Sequence, residues 1–258
     1  VYARDRPADL HRAPMIETRY LSFHTQRPPL NDPRVRRALA LAIDREAIVT
    51  RVLRGGQPAT GRLIPAALRG PDATPLPAEH RFNPALARET LAAAGIDPQN
   101  FPRMEITAWS PSQTPVLEAV QAMWRETLGI QVAIAIREAK VHLSSLTTGD
   151  YDIAFITAIP DVADAAEILG DFVTGAVENY PHWSDPAFDT ALARARPLPV
   201  ATDRTAALIE VEARLLQAAP LTPLYFNPKI WLMSPRVHGW QEDGLWARTY
   251  PQMHLDEK

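Results

Sequence analysis

Three acidic residues stand close together after a buried-looking, strand-like segment. Asp161, Asp164 and Glu167 follow residues 151–156, which the pattern of side chains predicts to be a strand. Their spacing of three places the carboxylates on neighbouring faces of a helical turn. They could cap the next helix, since carboxylates accept bonds from free backbone N–H groups and favour the positive helix end. Alternatively, one of them receives a cationic ligand group, because open α/β sheets bind ligands at the carboxyl ends of strands.

Of the three acids, Asp161 is the candidate for the ligand group. Asp164 fits either role, and Glu167 fits capping better. A carboxylate sheltered from water attracts an ammonium group far more strongly than one on an open surface. Catalysis by this cluster would need an opposed carboxylate, a base or a metal, and the sequence offers no such partner. We therefore predict a binding site and no enzyme activity.

The other residue types that often do chemistry lack the spacing that chemistry requires. The seven histidines are dispersed without a pair at i, i+4, and there is no cysteine, so no metal site is predicted. No serine lies in a Gly-x-Ser-x-Gly context. Gly55 and Gly56 lack the Lys-Ser/Thr pair of a phosphate loop and are interpreted as a helix stop. We expect no cofactor.

Charge and hydropathy limit the classes of partner. A formal net charge of −3, with arginines scattered among acids, argues against a nucleic-acid surface. No apolar run approaches the roughly 20 residues that cross a bilayer, so no direct membrane insertion is expected. The chain opens at Val1 without a basic and then apolar export signal, and we interpret it as a fragment or a processed chain.

Strand-like and helix-like segments alternate along the chain, which predicts an α/β layer structure. The clearest helix start is Asp32 with Pro33, a capping acid followed by the residue that suits the first helical position. Residues 1–14 show no clear period and are predicted to be an extended lead-in, and a loop is predicted to run to about Glu79. The periodicity predicts strands at 16–24, 104–109, 130–136, 151–156 and 224–233, and helices at 33–43, 84–94, 115–128, 139–146, 164–172, 187–196 and 203–218.

Several segments together resemble the family 5 solute-binding proteins, the oligopeptide-, dipeptide- and nickel-binding group of ABC importers. The most specific segment is residues 27–46, RPPLNDPRVRRALALAIDRE. Further matches, in order and at plausible spacings, are 52–59 (VLRGGQPA), 82–84 (FNP), 93–95 (AAG), 123–124 (MW), 128–130 (LGI), 151–154 (YDIA), 183–189 (WSDPAFD) and 223–225 (PLY). They cover nearly the whole chain.

The resemblance implies a two-lobed fold that closes on its ligand like a hinge. This chain resembles only the C-terminal half of such a protein, so the first lobe is absent. Residues 18–223 would form the second ligand-binding lobe, an α/β unit with a mixed sheet flanked by helices. Residues 1–17 would be a lead-in and hinge segment from the first lobe, and residues 224–258 would return toward it.

The resemblance also implies which residues face the ligand. In peptide-binding relatives, the loop after the strand that resembles residues 151–156 carries an aspartate that pairs with the peptide amino terminus, and that position falls on Asp161. Main-chain groups at Ala158 and Ile159 precede it. Further positions that match ligand-facing regions of relatives are Asn179, Tyr20 and Trp109.

The sequence departs from peptide-binding relatives at several of these positions. The tryptophan that usually stands three residues before the aspartate is Ala158 here, the proline that commonly follows the second acid is Ala165, and another ligand-facing aromatic falls on Ala139. Losing large aromatic walls enlarges a cleft and removes stacking area. The basic and histidine groups that hold peptide carboxylates in some relatives fall on Phe155, Leu146 and Gln113.

From the resemblance we expect a non-catalytic, periplasmic solute-binding component of an ABC importer. Its partners would be a peptide or another small solute, the permease subunits of the transporter and the missing N-terminal lobe. Two other functions stay open: a binder of a non-peptide solute such as a sugar or a nickel complex, and the effector-sensing half of a transcription regulator. An enzyme using Asp161 and Asp164 as paired carboxylates would require partners that the sequence does not supply.

Overall fold

The computed structural model describes residues 2–70, 76, 80–240, 244–245 and 251–256. Its α-helices are α1 (Tyr2–Asp5), α2 (Pro33–Leu41), α3 (Arg45–Ala47), α4 (Ala66–Arg69), α5 (Pro84–Ala93), α6 (Thr114–Leu128), α7 (Ala139–Thr148), α8 (Ala165–Gly170), α9 (Pro186–Ala195) and α10 (Ala201–Ala218), and a π-helical segment, Ile48–Leu53, continues α3. Its strands are β1 (Leu10–Ala13), β2 (Thr18–Phe23), β3 (Met104–Ala108), β4 (Val132–Ile136), β5 (Ile153–Ala158), β6 (Leu221–Phe226), β7 (Lys229–Leu232), β8 (Val237–His238) and β9 (His254–Leu255). The alternation of strands and helices confirms the predicted α/β class.

Within the described residues, five strands form the central sheet in the order β4-β3-β5-β2-β6. β3 is parallel to both β4 and β5, whereas β2 runs antiparallel to β5 and β6. The carboxyl ends of β3, β4, β5 and β6 therefore lie at the same edge of the sheet as the amino end of β2. We call this edge the carboxyl edge.

Alternating residues of the central strands face two separate apolar cores. Leu21 and Phe155 lie in the core that includes residues of α2, α5 and α6. Tyr20 and Ile156, one residue away on the same strands, lie in the core that includes residues of α8, α9 and α10. The period-two pattern of β2 and β5 thus buries both faces of the sheet, as the covering helices require.

Two helix boundaries that the sequence predicts are found in the structure. Asp32 caps α2 by accepting from the backbone N–H of Arg34 at 2.8 Å, and Pro33 is the first residue of the helix. α6 ends at Leu128 because Gly129 adopts a φ of 72°, a left-handed conformation that glycine takes without strain.

The two ends of the chain differ from their predicted structure. The lead-in is not extended throughout: it contains α1 and then β1, which pairs antiparallel with β7. The single strand predicted at 224–233 is two strands in different sheets, interrupted around Pro228, since proline donates no ladder hydrogen bond. α4 interrupts the predicted loop, and residues 71–75 and 77–79 of that loop lie outside the described residues.

The predicted division into segments 1–17, 18–223 and 224–258 stays a prediction. β2 begins at Thr18, while β6 runs through Pro223 within the central sheet. Residues 241–243, 246–250 and 257–258 of the predicted return segment lie outside the described residues.

Candidate ligand site at the carboxyl edge of the sheet

β5 reaches the carboxyl edge with one of its sides unpaired. It pairs with β2 along its whole length, but its ladder with β3 includes only Ile153 and Ala154. Among the described strands, residues 155–158 of β5 thus have a strand partner on one side only. Beyond Phe155, whose backbone the His142 ring approaches, the backbone N–H and C=O groups on the other side are available to an added extended chain.

The three acids after β5 have three different roles. Asp164 caps α8 by accepting from the backbone N–H of Ala166 at 2.8 Å, and Arg204 Nη2 pairs with its carboxylate at 2.7 Å. Partial burial opposes ionisation, but these hydrogen bonds outweigh it and hold the pKa of Asp164 below its usual value. Glu167 accepts from the backbone N–H groups of Asp161 at 3.1 Å and Val162 at 2.8 Å, and so fixes the loop.

Asp161 is the acid that these interactions leave available. Its side chain is exposed, and the described part of the chain contains no hydrogen bond or ion pair to its carboxylate. Burial, together with the carboxylates of Glu178, Glu167 and Asp161, raises the pKa of nearby Asp171 to about 7. Asp161 therefore lies among other acidic side chains.

Tyr20 and Asn179 lie beside this acidic region and are buried. Tyr20 packs edge-on against Phe172, with ring centroids 6.2 Å apart, and burial together with the charge of Asp171 raises its pKa well above the usual value. Asn179 donates to the carbonyls of Val173 at 3.0 Å and Trp183 at 2.7 Å, and accepts from the Trp183 N–H at 3.2 Å. These bonds use both amide hydrogens of Asn179, which gives it a structural role in its loop.

Trp109 follows β3 at the same edge and is half-buried. Its ring lies 5.6 Å from that of His142 and 6.5 Å from that of Phe155, and the guanidinium of Arg19 stands 5.5 Å from its centroid. Ala158 ends β5 as a buried residue, whereas Ile159 is 42% exposed. The structure thus brings Ala158, Ile159, Asp161 and Trp109 to one edge of the sheet.

The described ranges hold no group of three or more His, Asp or Glu residues arranged for a metal ion. They also contain no helix that is long and apolar enough to cross a membrane. The carboxyl edge presents an available carboxylate, an unpaired side of β5 and a half-buried aromatic ring.

Comparison with known proteins identifies the family. The family described as bacterial extracellular solute-binding proteins, family 5 Middle, matches residues 2–180. The chain belongs to the family 5 solute-binding proteins. The predicted resemblance is confirmed, and so is the lobe type.

Two curated members of family 5 illustrate the similarity. The chain is 32% identical over 240 residues to the probable deoxycholate-binding periplasmic protein YgiS of Escherichia coli (strain K12), covering 90% of this chain and 44% of that protein. It is 28% identical over 254 residues to the periplasmic murein peptide-binding protein MppA of the same strain, covering 95% of this chain and 47% of MppA. The chain therefore spans about half the length of these relatives.

Solved structures of family 5 proteins have the same fold. The Escherichia coli murein tripeptide binding protein MppA matches with a TM-score of 0.84 at 28% identity, covering 92% of this chain and 48% of that one. Burkholderia pseudomallei OppA matches with a TM-score of 0.90, covering 99% of this chain and 52% of that one. Its identity of 22% makes this second match evidence of the fold alone.

The basic and histidine positions of family 5 peptide binders fall on buried residues here. Phe155 and Leu146 belong to the two apolar cores, and Gln113 is 8% exposed and accepts from the backbone N–H groups of Trp109 and Ser110. None of these three side chains carries a charge, so none can form an ion pair with a ligand carboxylate.

Sequence reasoning missed several polar residues at the carboxyl edge. Arg19 and Glu17 form a 2.6 Å ion pair, and Asn227 Nδ2 donates to the same Glu17 oxygen at 3.1 Å. His142 and Asp171 were also not singled out. A signal existed for Arg19, since an arginine at an inward position of a strand with both faces covered calls for a specific partner. No local pattern indicates that Glu17 pairs with Asn227, because the two residues are 210 positions apart in the sequence.

Proposed function

We propose that this chain is the ligand-binding lobe of an extracytoplasmic receptor that delivers a peptide-type solute to an ABC importer. The observation that carries the proposal is the exposed Asp161 carboxylate, which stands unpaired among the described residues at the carboxyl edge. Ligands of open α/β sheets bind at such an edge. The lobe binds and releases its solute without chemical change.

Asp161 is suited to anchor an ammonium group. Glu167 holds the Asp161 loop by two backbone hydrogen bonds, so the backbone that carries the carboxylate is fixed before the ligand arrives. The neighbouring acids Glu178 and Glu167 add to the negative potential that attracts a cation. A charge-assisted hydrogen bond in a cleft closed from water is stronger than a neutral one.

The peptide backbone would extend along the unpaired side of β5. Residues 155–158 have a strand partner only on the β2 side, and Ala158 with Ile159 leads directly to Asp161. Main-chain hydrogen bonds supply affinity without reading the side chains. Trp109 would form the apolar wall of the cleft, and Tyr20 and Asn179 would shape the loop beside the amino-terminal subsite.

The rest of the receptor follows from the length of the relatives. The chain spans 44% of YgiS and 47% of MppA, and we propose that a second lobe completes the site and closes over the ligand by a hinge motion. The closed receptor would dock on the permease subunits. Both relatives are named as periplasmic proteins, and we propose the periplasm for this chain.

The test is calorimetric titration of the full-length, two-lobed protein with peptide pools. We expect Asp161→Ala to weaken binding by about tenfold to a hundredfold, the loss typical of a charge-assisted hydrogen bond. N-acetylated peptides should bind the wild type as weakly as free peptides bind the variant. Asp150→Ala is the matched control, because Asp150 is an exposed aspartate at the opposite end of β5. Unchanged affinity in Asp161→Ala would overturn the assignment of the anchor.

A second candidate ligand is a non-peptide, amphipathic solute. Two observations favour it: the relative of 32% identity is named as a probable deoxycholate-binding protein, and Ala158 stands where peptide binders usually have tryptophan. Titration with deoxycholate tests this function. Strong binding of deoxycholate, indifferent to Asp161→Ala, together with no binding of peptides, would replace the peptide proposal.

A further inference from the structure

Several buried polar atoms at the carboxyl edge lack a hydrogen-bond partner. Within the described residues, Oε2 of Glu17, Oγ1 of Thr157 and both ring nitrogens of His142 make no hydrogen bond of normal geometry, although the His142 ring lies near the backbone of Phe155. Glu17 is fully buried and His142 is 3% exposed. Buried polar groups without partners are uncommon and call for an explanation.

These atoms belong to residues that are linked to one cation, Arg19, either directly or through Trp109. Thr157 stands directly opposite Arg19 in the β2–β5 ladder, so both side chains project from the same face of the sheet. The guanidinium of Arg19 lies against Trp109, and Trp109 in turn contacts His142. Arg19, Trp109, Thr157 and His142 therefore form one continuous group, which we call the Arg19 subsite.

Arg19 has guanidinium N–H donors that no described residue uses. Its Nη2 pairs with Glu17 at 2.6 Å, and the described residues make no hydrogen bond to its other guanidinium nitrogens. The side chain is 19% exposed, whereas Glu17 has no exposed surface. A ligand therefore meets the arginine first, with the acid behind it. Packing against Trp109 fixes the plane of the guanidinium, which reduces the entropy lost on binding.

We propose that the Arg19 subsite binds a carboxylate of the solute, an inference that rests on the proposed function. A guanidinium presents paired N–H donors whose geometry matches a carboxylate. The hydroxyl of Thr157, opposite Arg19 in the ladder, can supply a further donor. Burial and the charge of Arg137 lower the pKa of His142 to about 4, so its ring is neutral at pH 7 and keeps one N–H. The subsite replaces the basic positions that Phe155, Leu146 and Gln113 no longer provide.

The carboxylate could come from two sources. In a peptide it would be the C-terminal group, with the amino terminus at Asp161. In a bile-acid-type solute it would be the side-chain acid, and no amine would be required. Both share the chemistry that Arg19 recognises, and the two arms of the experiment separate them.

The experiment is calorimetric titration of the full-length, two-lobed protein with two matched pairs of probes. One pair is short alanine peptides with a free or an amidated C-terminus, and the other is deoxycholate or its methyl ester. We expect the free carboxylate of at least one pair to bind roughly tenfold or more tightly than its neutral partner, as for loss of a charge-assisted hydrogen bond. In Arg19→Lys this preference should shrink, because the forked donor is lost while the charge beside Glu17 remains.

A second variant excludes a simple folding defect. The double substitution Glu17→Gln with Arg19→Gln removes both charges together, so no buried carboxylate is left unpaired. It should abolish the preference for the carboxylate. Arg27→Gln is the matched control, because Arg27 is an ion-paired arginine beyond the opposite end of β2.

The outcomes separate the subsite from the proposed function. If peptides bind in an Asp161-dependent manner but amidation and the Arg19 variants change nothing, the proposed function stands and the Arg19 subsite is wrong. If no probe of either pair binds the wild type, both are overturned. If deoxycholate alone shows the Arg19-dependent preference, the subsite stands and the peptide proposal fails.

Discussion

Two glutamates are completely buried beside an arginine, and they differ in how fully their oxygens are used. Oε1 of Glu212, on α10, accepts from the backbone N–H groups of Leu63 and Ile64, both at 2.7 Å, and Oε2 pairs with Arg62 at 3.4 Å. Glu17, at the carboxyl edge, uses only Oε1, while Oε2 has no partner among the described residues.

This difference in hydrogen bonding distinguishes a buried charge that stabilises the fold from one that lies at the candidate site. The Glu212 carboxylate holds the chain before α4 against α10 and leaves neither of its oxygens unbonded. At the carboxyl edge, by contrast, the Glu17 pair, Thr157 and His142 together leave donors and acceptors unused. A buried polar cluster with unsatisfied donors and acceptors costs free energy in the absence of ligand. Such a cluster is expected where a ligand supplies the missing hydrogen bonds.

Substitution of Glu212 should have the largest effect on stability. Glu212→Ala removes the carboxylate that pairs with Arg62 and the acceptor of two buried backbone N–H groups, so we expect the free energy of unfolding to fall by about 3–5 kcal/mol. Urea unfolding of the full-length protein measures it. Glu210→Ala, an exposed glutamate two residues away on α10, should change it by less than about 0.5 kcal/mol. Similar losses in both variants would contradict the structural role.

Substitution of Asn179 tests whether a polar residue close to the candidate site stabilises the fold, as Glu212 does, and does not contact the ligand. Asn179→Ala leaves the carbonyls of Val173 and Trp183 without their donor, and we expect it to lower the free energy of unfolding by about 2 kcal/mol. The exposed Asn100→Ala should have little effect. A calorimetric titration completes the test: a large loss of ligand affinity with unchanged stability would restore the direct ligand contact that the sequence predicts.

The sequence predicts local structure well because its signals are local. Asp32 with Pro33, Gly129 and the alternation along β2 and β5 each fix an element through neighbouring residues. The position of Asp161 after a strand also follows from such signals. For Asp164 the sequence left two roles open, and the structure shows that it caps α8. The resemblance to family 5 supplied the lobe type, which periodicity alone does not specify.

What the sequence could not predict depends on pairs that are distant in the chain. Arg19 meets Trp109 and Thr157 only because β2 lies beside β5 in the sheet, an order that periodicity does not reveal. The placement of β7 in a different sheet from β6 likewise follows from its pairing with β1. The Arg19 subsite therefore depends on tertiary pairing, which the sequence does not reveal, whereas the position of Asp161 could be predicted from local signals.

Substitution of Glu17 should have the smallest effect on stability and sharpen the contrast with Glu212. In Glu17→Gln the amide oxygen can still accept from Arg19 and Asn227, and Arg19 stays in contact with solvent, so no charge is stranded. We expect the free energy of unfolding to change by about 1 kcal/mol or less in urea, well below the loss in Glu212→Ala. Because the substitution also removes the anion behind Arg19, affinity for a carboxylate ligand should rise. A loss as large as that of Glu212→Ala would show that the Glu17 pair holds the fold and is not part of an open site.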